Sequence, residues 1–583
     1  MKSIIAVLKL FQTKPSKKLL IALLIILVSL IYGLPHIILS LKLGTKYTPL
    51  TVSGQSPIAR DETYAYAPFI NHILKGNFFI RDTYVYEYKD LPTPFLGETA
   101  PALLFAVLSR LTGSIERAFI VSDFIFPPVI FLMLYLLARN FIDNQFYALT
   151  TSFLTVIARD FIAVIPYPHA TYQYLTVAEN QNYFLYLSRA FHPQLTFIFF
   201  SLAVISMLKL VQNPFKKIYI IFLGISFGLL FYSYIFYWTY FFVFFGLIFL
   251  YFLIKRDFRT LRSLFFAGLL SLLIGLYYLF NMFKFYQLPF SQDFVSKSSL
   301  YNLPIPITLI RYLLIMVFFY VIYKQKDRKF YVLFFLLLGG ILISPISKLL
   351  VGQDLETFHY LRRALMPFAT ITFFATIYFL IKTHKTLIQI TALLVFIIAI
   401  FTGFRTQIIA SQKVQKVHVR DDTQQSVFDW FRKNTPKNSV IGSIDTSFNS
   451  LIPVYTRNKV FFPPTDRTIT PTYEEVERYA ILAKILGIDT NWQKRNLDTI
   501  ISYLFIYQAY NQNNNLDLNS PRRIWAESEI DRLANNNWRE LASKYKLDYV
   551  IVSPNELSIV NPDIKLLKPV TSVGDYIIFK FQD

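Results

Sequence analysis

Residues 98–112, ETAPALLFAVLSRLT, decide how the rest of the chain is threaded. Their apolar core is short and Arg110 lies inside it. If the stretch crosses a membrane, every later connection changes side. If it does not, one side collects the connections that hold Arg139; Lys209, Lys216 and Lys217; Lys255, Arg256, Arg259 and Arg262; Lys324, Lys326, Arg328 and Lys329; and Lys382 and Lys385. Short cytoplasmic loops carry an excess of lysine and arginine. That bias resolves the parity: 98–112 is read as an interfacial helix, with the amino end cytoplasmic and the tail outside.

Working outward, eleven apolar runs are long enough to span a bilayer, which takes roughly 20 helical residues. They lie near 19–41, 117–138, 145–165, 191–210, 217–233, 235–254, 263–283, 307–323, 330–348, 364–381 and 387–405. No small-residue cleavage site follows the first run, so it reads as an uncleaved helix. The 583 residues are 54% hydrophobic and 18% aromatic, far too apolar for a soluble enzyme. The formal charge of +22 is spread between apolar segments rather than gathered on one soluble face, so nucleic acid is not an expected partner. The absence of cysteine removes disulfides, thiolate nucleophiles and cysteine metal ligands.

The expected fold is a polytopic α-helical membrane protein with interfacial helices in its first outer loop (42–116). Residues 1–405 form the transmembrane domain, and 406–583 form a soluble extracytoplasmic α/β domain. In this tail QQSVFDWFRKN, YEEVERYAILAKIL and WRELASKY read as helices, and NSVIGSI, DYVIVS and DYIIFKF as strands. The Asn-rich piece QAYNQNNNLDLNSPRR reads as a loop. The tail shows no motif that names a ligand. The remaining outer segments are 166–190, 284–306 and 349–363, while the turn at 233–235 is too short to add much.

Most of the notable ionisable residues fall on the outer side. RDETYAYAPFINHILKGNFFIRD, residues 60–82, reads as a helix that starts at Asp61 and stops at Gly76, with the Asp61–Glu62 pair at its N-terminus. Asp61 can equally be a helix cap, and Glu98 can equally be an acid favoured by the dipole of the helix it opens. Asp82, Glu87 and Asp90 add carboxylates. The second outer segment brings His169, Glu179, Arg189 and His192 close to the membrane. Arg189 is the better placed to meet an anion, whereas an interfacial histidine such as His192 is often satisfied by backbone. Arg159 and Asp160 lie inside a proposed crossing, where ionisable groups neutralise each other or serve a function. GQDLETFHYLRRALMPF places His359, Arg362 and Arg363 just before a crossing, the reverse of what the helix dipole favours. Such a pair calls for an anion, which can be a phosphate, Asp354, Glu356 or a lipid headgroup.

In this order, the Asp61–Glu62 pair, the YAYAPFINHILKGN helix, the interfacial helix after Glu98 and the late-loop arginines resemble the GT-C glycosyltransferases. That polytopic class takes sugars from polyprenyl-phosphate donors and includes protein O-mannosyltransferases and lipid A aminoarabinose transferases. The resemblance covers the membrane portion. It implies that Asp61 or Glu62 contacts the acceptor or acts as base. In the aminoarabinose-type members a second glutamate precedes a lysine and a proline; Glu98 matches it, but Thr99 replaces the lysine and Ala100 stands before Pro101.

The expected activity is transfer of a sugar from a polyprenyl-phosphate donor to a glycan, lipid or protein acceptor outside the plasma (inner) membrane. Asp61 or Glu62 serves as base, Glu98 is a second carboxylate, and Arg362, Arg363 and Arg189 hold the donor phosphate. A second acid is not required, because a polyprenyl phosphate departs as a stabilised anion. Asp82, His192 and His359 are candidate substrate or metal contacts. A divalent cation, Mg or Mn, is permitted by the acidic cluster and not specified by it. A transporter or lipid flippase is the rival, with a non-catalytic envelope scaffold behind it. The first would show repeated halves and polar groups near the midplane, whereas here no repeat is visible and the charges gather on the outer face.

Overall fold

The computed structural model describes residues 17–50, 63–165, 167–176, 184–298, 306–323, 326–351, 355, 357, 359–463, 467–496, 521–535, 538–554, 556–562 and 566–582. Each of the eleven apolar runs falls on a helix: Lys17–Leu43, Ile115–Ala138, Gln145–Ile157, Thr196–Gln212, Lys217–Leu230, Ile235–Ile254, Phe258–Tyr286, Pro306–Ile322, Arg328–Val351, Met366–Ile381 and Lys385–Lys413. In hydrocarbon a lone segment must satisfy its own backbone N–H and C=O groups, which only a helix does. Eight helices among the described residues are long and apolar enough to cross a membrane, and Gln145–Ile157, Lys217–Leu230 and Leu309–Ile322 are shorter apolar helices. One expected run, 145–165, is broken: its helix ends at Ile157, and Phe161–Val164 is a separate turn beyond Arg159 and Asp160. The last helix continues through Lys413. Gly224 and Gly228 let two helices touch, since a Cβ on either would lie within 2.8 Å of the Cβ of Leu270 or Ile274.

The polar ends of the bundle sort into two sets. At one end Gln212 donates to Asn140 (3.3 Å), Ser263 to the carbonyl of Pro214 (2.7 Å), and Arg328 to Asp257 (2.7 Å) and Thr260 (3.0 Å). These are connections rich in lysine and arginine. At the other end Tyr47 bridges to Val419, Thr48 N donates to the carbonyl of His418 (2.9 Å), and Tyr455 donates to Glu116 (2.7 Å). The first loop, the start of helix Ile115–Ala138 and the tail therefore share one face.

Helix Thr99–Thr112 begins and ends on that same face. Its N-terminal neighbour Glu98 meets His192 at the start of the apolar helix Ala190–Gln212, and Gly113, at φ +89°, turns the chain straight into Ile115. Its hydropathy of 1.2 is the lowest among the eight long apolar helices. Pro94–Thr112 is nevertheless one of those eight.

The tail holds a five-stranded sheet: β1 (Val440–Gly442), β2 (Lys459–Val460), β3 (Tyr549–Val552), β4 (Leu567–Val573) and β5 (Tyr576–Phe581), ordered β2-β1-β3-β5-β4. β1 is parallel to β2 and β3, and β5 is antiparallel to β3 and β4. The expected strands are β1, β3 and β5, and the expected helices appear as Asp422–Asn434, Thr472–Ile485 and the short Trp538–Ala542. Helix Thr446–Tyr455 was not expected. Most of the Asn-rich piece lies outside the described residues, and its last three, Pro521 to Arg523, open helix Pro521–Asn535 instead of a loop. Proline suits the first helical position, where its missing N–H loses no bond.

The first loop is stitched into this tail. Val460 N donates to the carbonyl of Tyr84 (2.8 Å). The fully buried Arg478 pairs with Glu87 of the loop and Glu474 of its own helix, both at 2.7 Å. Helix Thr63–Leu74 packs on Thr446–Tyr455, and Asn71 donates to the carbonyl of Pro453 (2.7 Å).

Candidate functional site

Helix Thr63–Leu74 has the expected stop: Gly76 adopts φ +91°, and its N–H returns to the carbonyl of Ile73 (2.9 Å). Asp61 and Glu62, expected at its start, lie outside the described residues. The helix carries Tyr66 inward, where its ring stacks on Phe191 at 4.2 Å and meets the edge of His192 at 4.9 Å.

His192 is the hub. It is fully buried and sits in an extended backbone conformation (φ −122°, ψ 124°) where the chain widens before helix Thr196–Gln212. Its Nε2 is 2.6 Å from Oε2 of Glu98, and its Nδ1 is 3.1 Å from Oγ1 of Thr196. Its ring stacks on Tyr234 with centroids 4.1 Å apart. Gln194 holds the turn by donating to Asp123 and to the carbonyl of Leu187. The bond expected from backbone is therefore made by a carboxylate of another segment.

Tyr234 links this pair to the late loop. Its hydroxyl accepts from Nη1 of Arg363 (2.7 Å) and faces Nδ1 of His359, so a hydroxyl held by the guanidinium can give its own proton to the imidazole. Arg363 is buried while the side chain of Arg362 is exposed, so the two expected phosphate contacts part company. The carbonyl of Arg362 accepts from Arg159, whose guanidinium lies 3.0 Å from the ring centroid of Tyr186. Arg159 and Asp160 are 3.8 Å apart, with Asp160 half-buried. Arg189 is half-buried, near enough for its charge to act on His192 together with those of Arg363 and Arg467.

Two participants were not foreseen. Tyr234 belongs to the 233–235 turn that looked too short to matter, and a turn's length says nothing about where its side chains reach. Arg467 comes from the tail, in which no ligand motif was visible. Its guanidinium lies 4.7 Å from the ring centroid of Tyr66 and its charge acts on Glu98. The prolines and threonines around it mark only an irregular segment.

Asp82 is placed elsewhere, with structural partners. It is fully buried; its Oδ1 accepts from the N–H groups of Tyr84 and Val85 (2.9 Å each), and its Oδ2 from Thr468 Oγ1 (2.6 Å) and Ile469 N (3.0 Å). It thereby fixes the segment that follows Arg467. Among the described residues no three of His, Asp and Glu are grouped to hold a metal ion. Glu98 alone does not make the oxygen cage that Mg or Mn demands, so no step is derived through a cation.

No protein-family model and no curated protein matches this sequence. Among solved structures, ArnT from Cupriavidus metallidurans bound to undecaprenyl phosphate is similar at 9% identity and a TM-score of 0.49, over 94% of this chain and 97% of that one. The oligosaccharyltransferase of Archaeoglobus fulgidus in the apo form is similar at 12% identity and a TM-score of 0.45, over 91% of this chain and 69% of that one. The oligosaccharyltransferase AglB from Archaeoglobus fulgidus, in complex with an inhibitory peptide and a dolichol-phosphate, gives 14% identity and a TM-score of 0.41, over 90% and 68%. Likenesses of this size stand as likenesses only, and the reading of the site rests on its own geometry.

Proposed function

We propose that this chain is an integral-membrane glycosyltransferase that moves a sugar from a polyprenyl-phosphate donor to an acceptor hydroxyl on the extracytoplasmic side, inverting the anomeric carbon. The observation that carries the reading is the unbroken run Glu98–His192–Tyr234–Arg363. It joins a carboxylate of the first loop to a guanidinium of the last membrane-proximal loop on the face that holds the tail.

In the proposed step the acceptor oxygen bonds to the anomeric carbon as the carbon–oxygen bond to the phosphate breaks. Asp61 or Glu62 takes the hydroxyl proton, and the bonding pair leaves with the polyprenyl phosphate. Arg363, Arg467 and Arg189 stabilise the charge that develops on that phosphate. Glu98 acts through His192, keeping its ring against Tyr234 and so the phenol under Arg363. The basic end of the bundle is assigned to the cytoplasm by the lysine and arginine bias.

The test is turnover in proteoliposomes: polyprenyl-phosphate sugars are offered with a hydroxyl acceptor, and free polyprenyl phosphate is measured. Wild-type protein releases it, while Asp61→Asn or Glu62→Gln abolishes release and leaves the protein inserted and folded. Full activity in both variants removes the base assignment. Solute flux without donor turnover replaces the transferase by the transporter.

A further inference from the structure

A second cavity lies where the first loop meets the tail, away from the Glu98–Arg363 run. It encloses about 200 Å³ and is lined by Lys75, Lys89, Lys437, Arg457 and Lys459, with His72 beside them. These come from three places: the end of helix Thr63–Leu74, the loop that follows it, and the strand-bearing edge of the tail around β2. Five basic side chains face one small volume, and among the described residues Asp90 is the only carboxylate in its lining. Asp90 is spent on Lys89, at 2.6 Å, and is largely solvent-exposed.

The buried Asp82 carboxylate acts on Lys459, and among the described residues Lys75, Lys437 and Arg457 have no ion pair. Lys459 is 7% exposed, and its Nζ donates to the backbone carbonyl of Asp82 (2.8 Å); Lys75 donates to the carbonyl of Thr456. Each bond takes one of three ammonium hydrogens and no charge. The side chains of Lys437 and Arg457 make no hydrogen bond or ion pair among the described residues and reach the mouth from the exposed side. Like charges that close repel unless an anion sits between them. Burial, reinforced by Lys459, Arg457 and Lys437, pushes Lys75 down to about 7, and burial, opposed by Asp82, pushes Lys459 down to about 8. A purely structural seam would carry carboxylates opposite Lys75, Lys437 and Arg457 as well, as the same seam does where Glu87 and Glu474 meet Arg478.

We infer that this seam is a binding site for a phosphate-class oxyanion, held between lysines of the first loop and lysine and arginine of the tail. Flexible lysines treat phosphate as a point charge, and Arg457 adds a planar fork for two of its oxygens. The oxyanion can come from a soluble phosphate ester or from an anionic lipid headgroup. The inference stands independently of the transferase reading, since it shares no residue with that site.

The experiment titrates the full-length protein, in detergent and then in nanodiscs of neutral lipid, with inorganic pyrophosphate, using chloride at matched ionic strength as the control and thermal unfolding as readout. Wild-type protein shows saturable stabilisation, and Lys437→Glu/Arg457→Glu weakens the apparent affinity by about tenfold or more. Both residues are exposed, so the double variant folds; its unfolding temperature without ligand checks this. If pyrophosphate does nothing but nanodiscs containing phosphatidic acid stabilise the wild type and not the double variant, the oxyanion is a headgroup. No response beyond chloride in either arm, or an equal response in the double variant, overturns the site.

Discussion

Glu98 and His192, ninety-four positions apart, hold each other at 2.6 Å, and the histidine is wholly shielded from solvent. Burial raises the Glu98 carboxyl to about 8, so near neutral pH it is mostly the protonated acid and donates to the imidazole. Glu98→Gln keeps the shape and puts a weaker amide donor in place of the acid. Losing an interaction of about 0.5–1.5 kcal/mol lowers kcat by roughly twofold to tenfold, with little change in KM for the donor. His192→Phe keeps the stacking on Tyr234 and loses the bond, so it should show a comparable loss. Single-turnover kinetics check both; unchanged rates in both variants remove the pair from the reaction.

Arg362 and Arg363 are adjacent in sequence and unequal in space. Arg363 is buried against the Tyr234 hydroxyl, whereas the side chain of Arg362 is exposed and its carbonyl accepts from Arg159. Arg363→Lys should slow transfer by about a hundredfold, the size of effect seen when one donor to a developing anion is removed. Arg362→Ala should leave it within about threefold, in the range of an exposed substitution. Donor-turnover assays on the two variants, run side by side, decide which guanidinium faces the phosphate.

Arg478 ties the tail to the first loop. Its guanidinium is completely buried between Glu87 and Glu474, so Arg478→Ala leaves two carboxylates facing each other. Breaking such a pair costs about 3–5 kcal/mol. The expected result is loss of hydrogen-exchange protection in strands β1 and β3 and faster proteolysis of the tail. Activity should fall with it, because Arg467 hangs from the same seam.

The oxyanion seam predicts a pH dependence with a definite sign. Lys75 and Lys459, at about 7 and about 8 in the free protein, are partly neutral at mild alkaline pH. An anion favours their charged forms, so binding takes up protons. Sulfate is the suitable probe, since its own charge is constant in this range. Its affinity should be highest near pH 6 and fall as pH rises to about 9. The groups that set this are Lys437, Arg457 and Lys89, which push the lysines down, and Asp82 and Asp90, which raise Lys459. His72, held down at about 4 by burial, stays neutral throughout. A flat profile in calorimetric titration would mean that these lysines do not meet the anion.

Much of the fold was legible because the bilayer leaves few options. A run such as 235–254 or 387–405 has no way to satisfy its backbone in lipid except as a helix, and the lysines and arginines between runs fix which ends lie together. Gly76 ended its helix where the left-handed turn was expected, and β1, β3 and β5 follow apolar β-rich runs. Hydropathy did not reveal that Arg159 and Asp160 break the third run, or that 459–460 and 567–573 are strands, because partners in the sheet decide short segments.

The site divides along the same line. The residue types near the membrane, and the acid and base chemistry they permit, follow from the sequence. Which of Arg362 and Arg363 turns inward, that Asp82 is consumed by donors as distant as Ile469, 387 residues away, and that Tyr234 and Arg467 join the histidine depend on packing between segments far apart in the chain. Local pattern carries backbone geometry, and long-range contact selects which side chains it brings together.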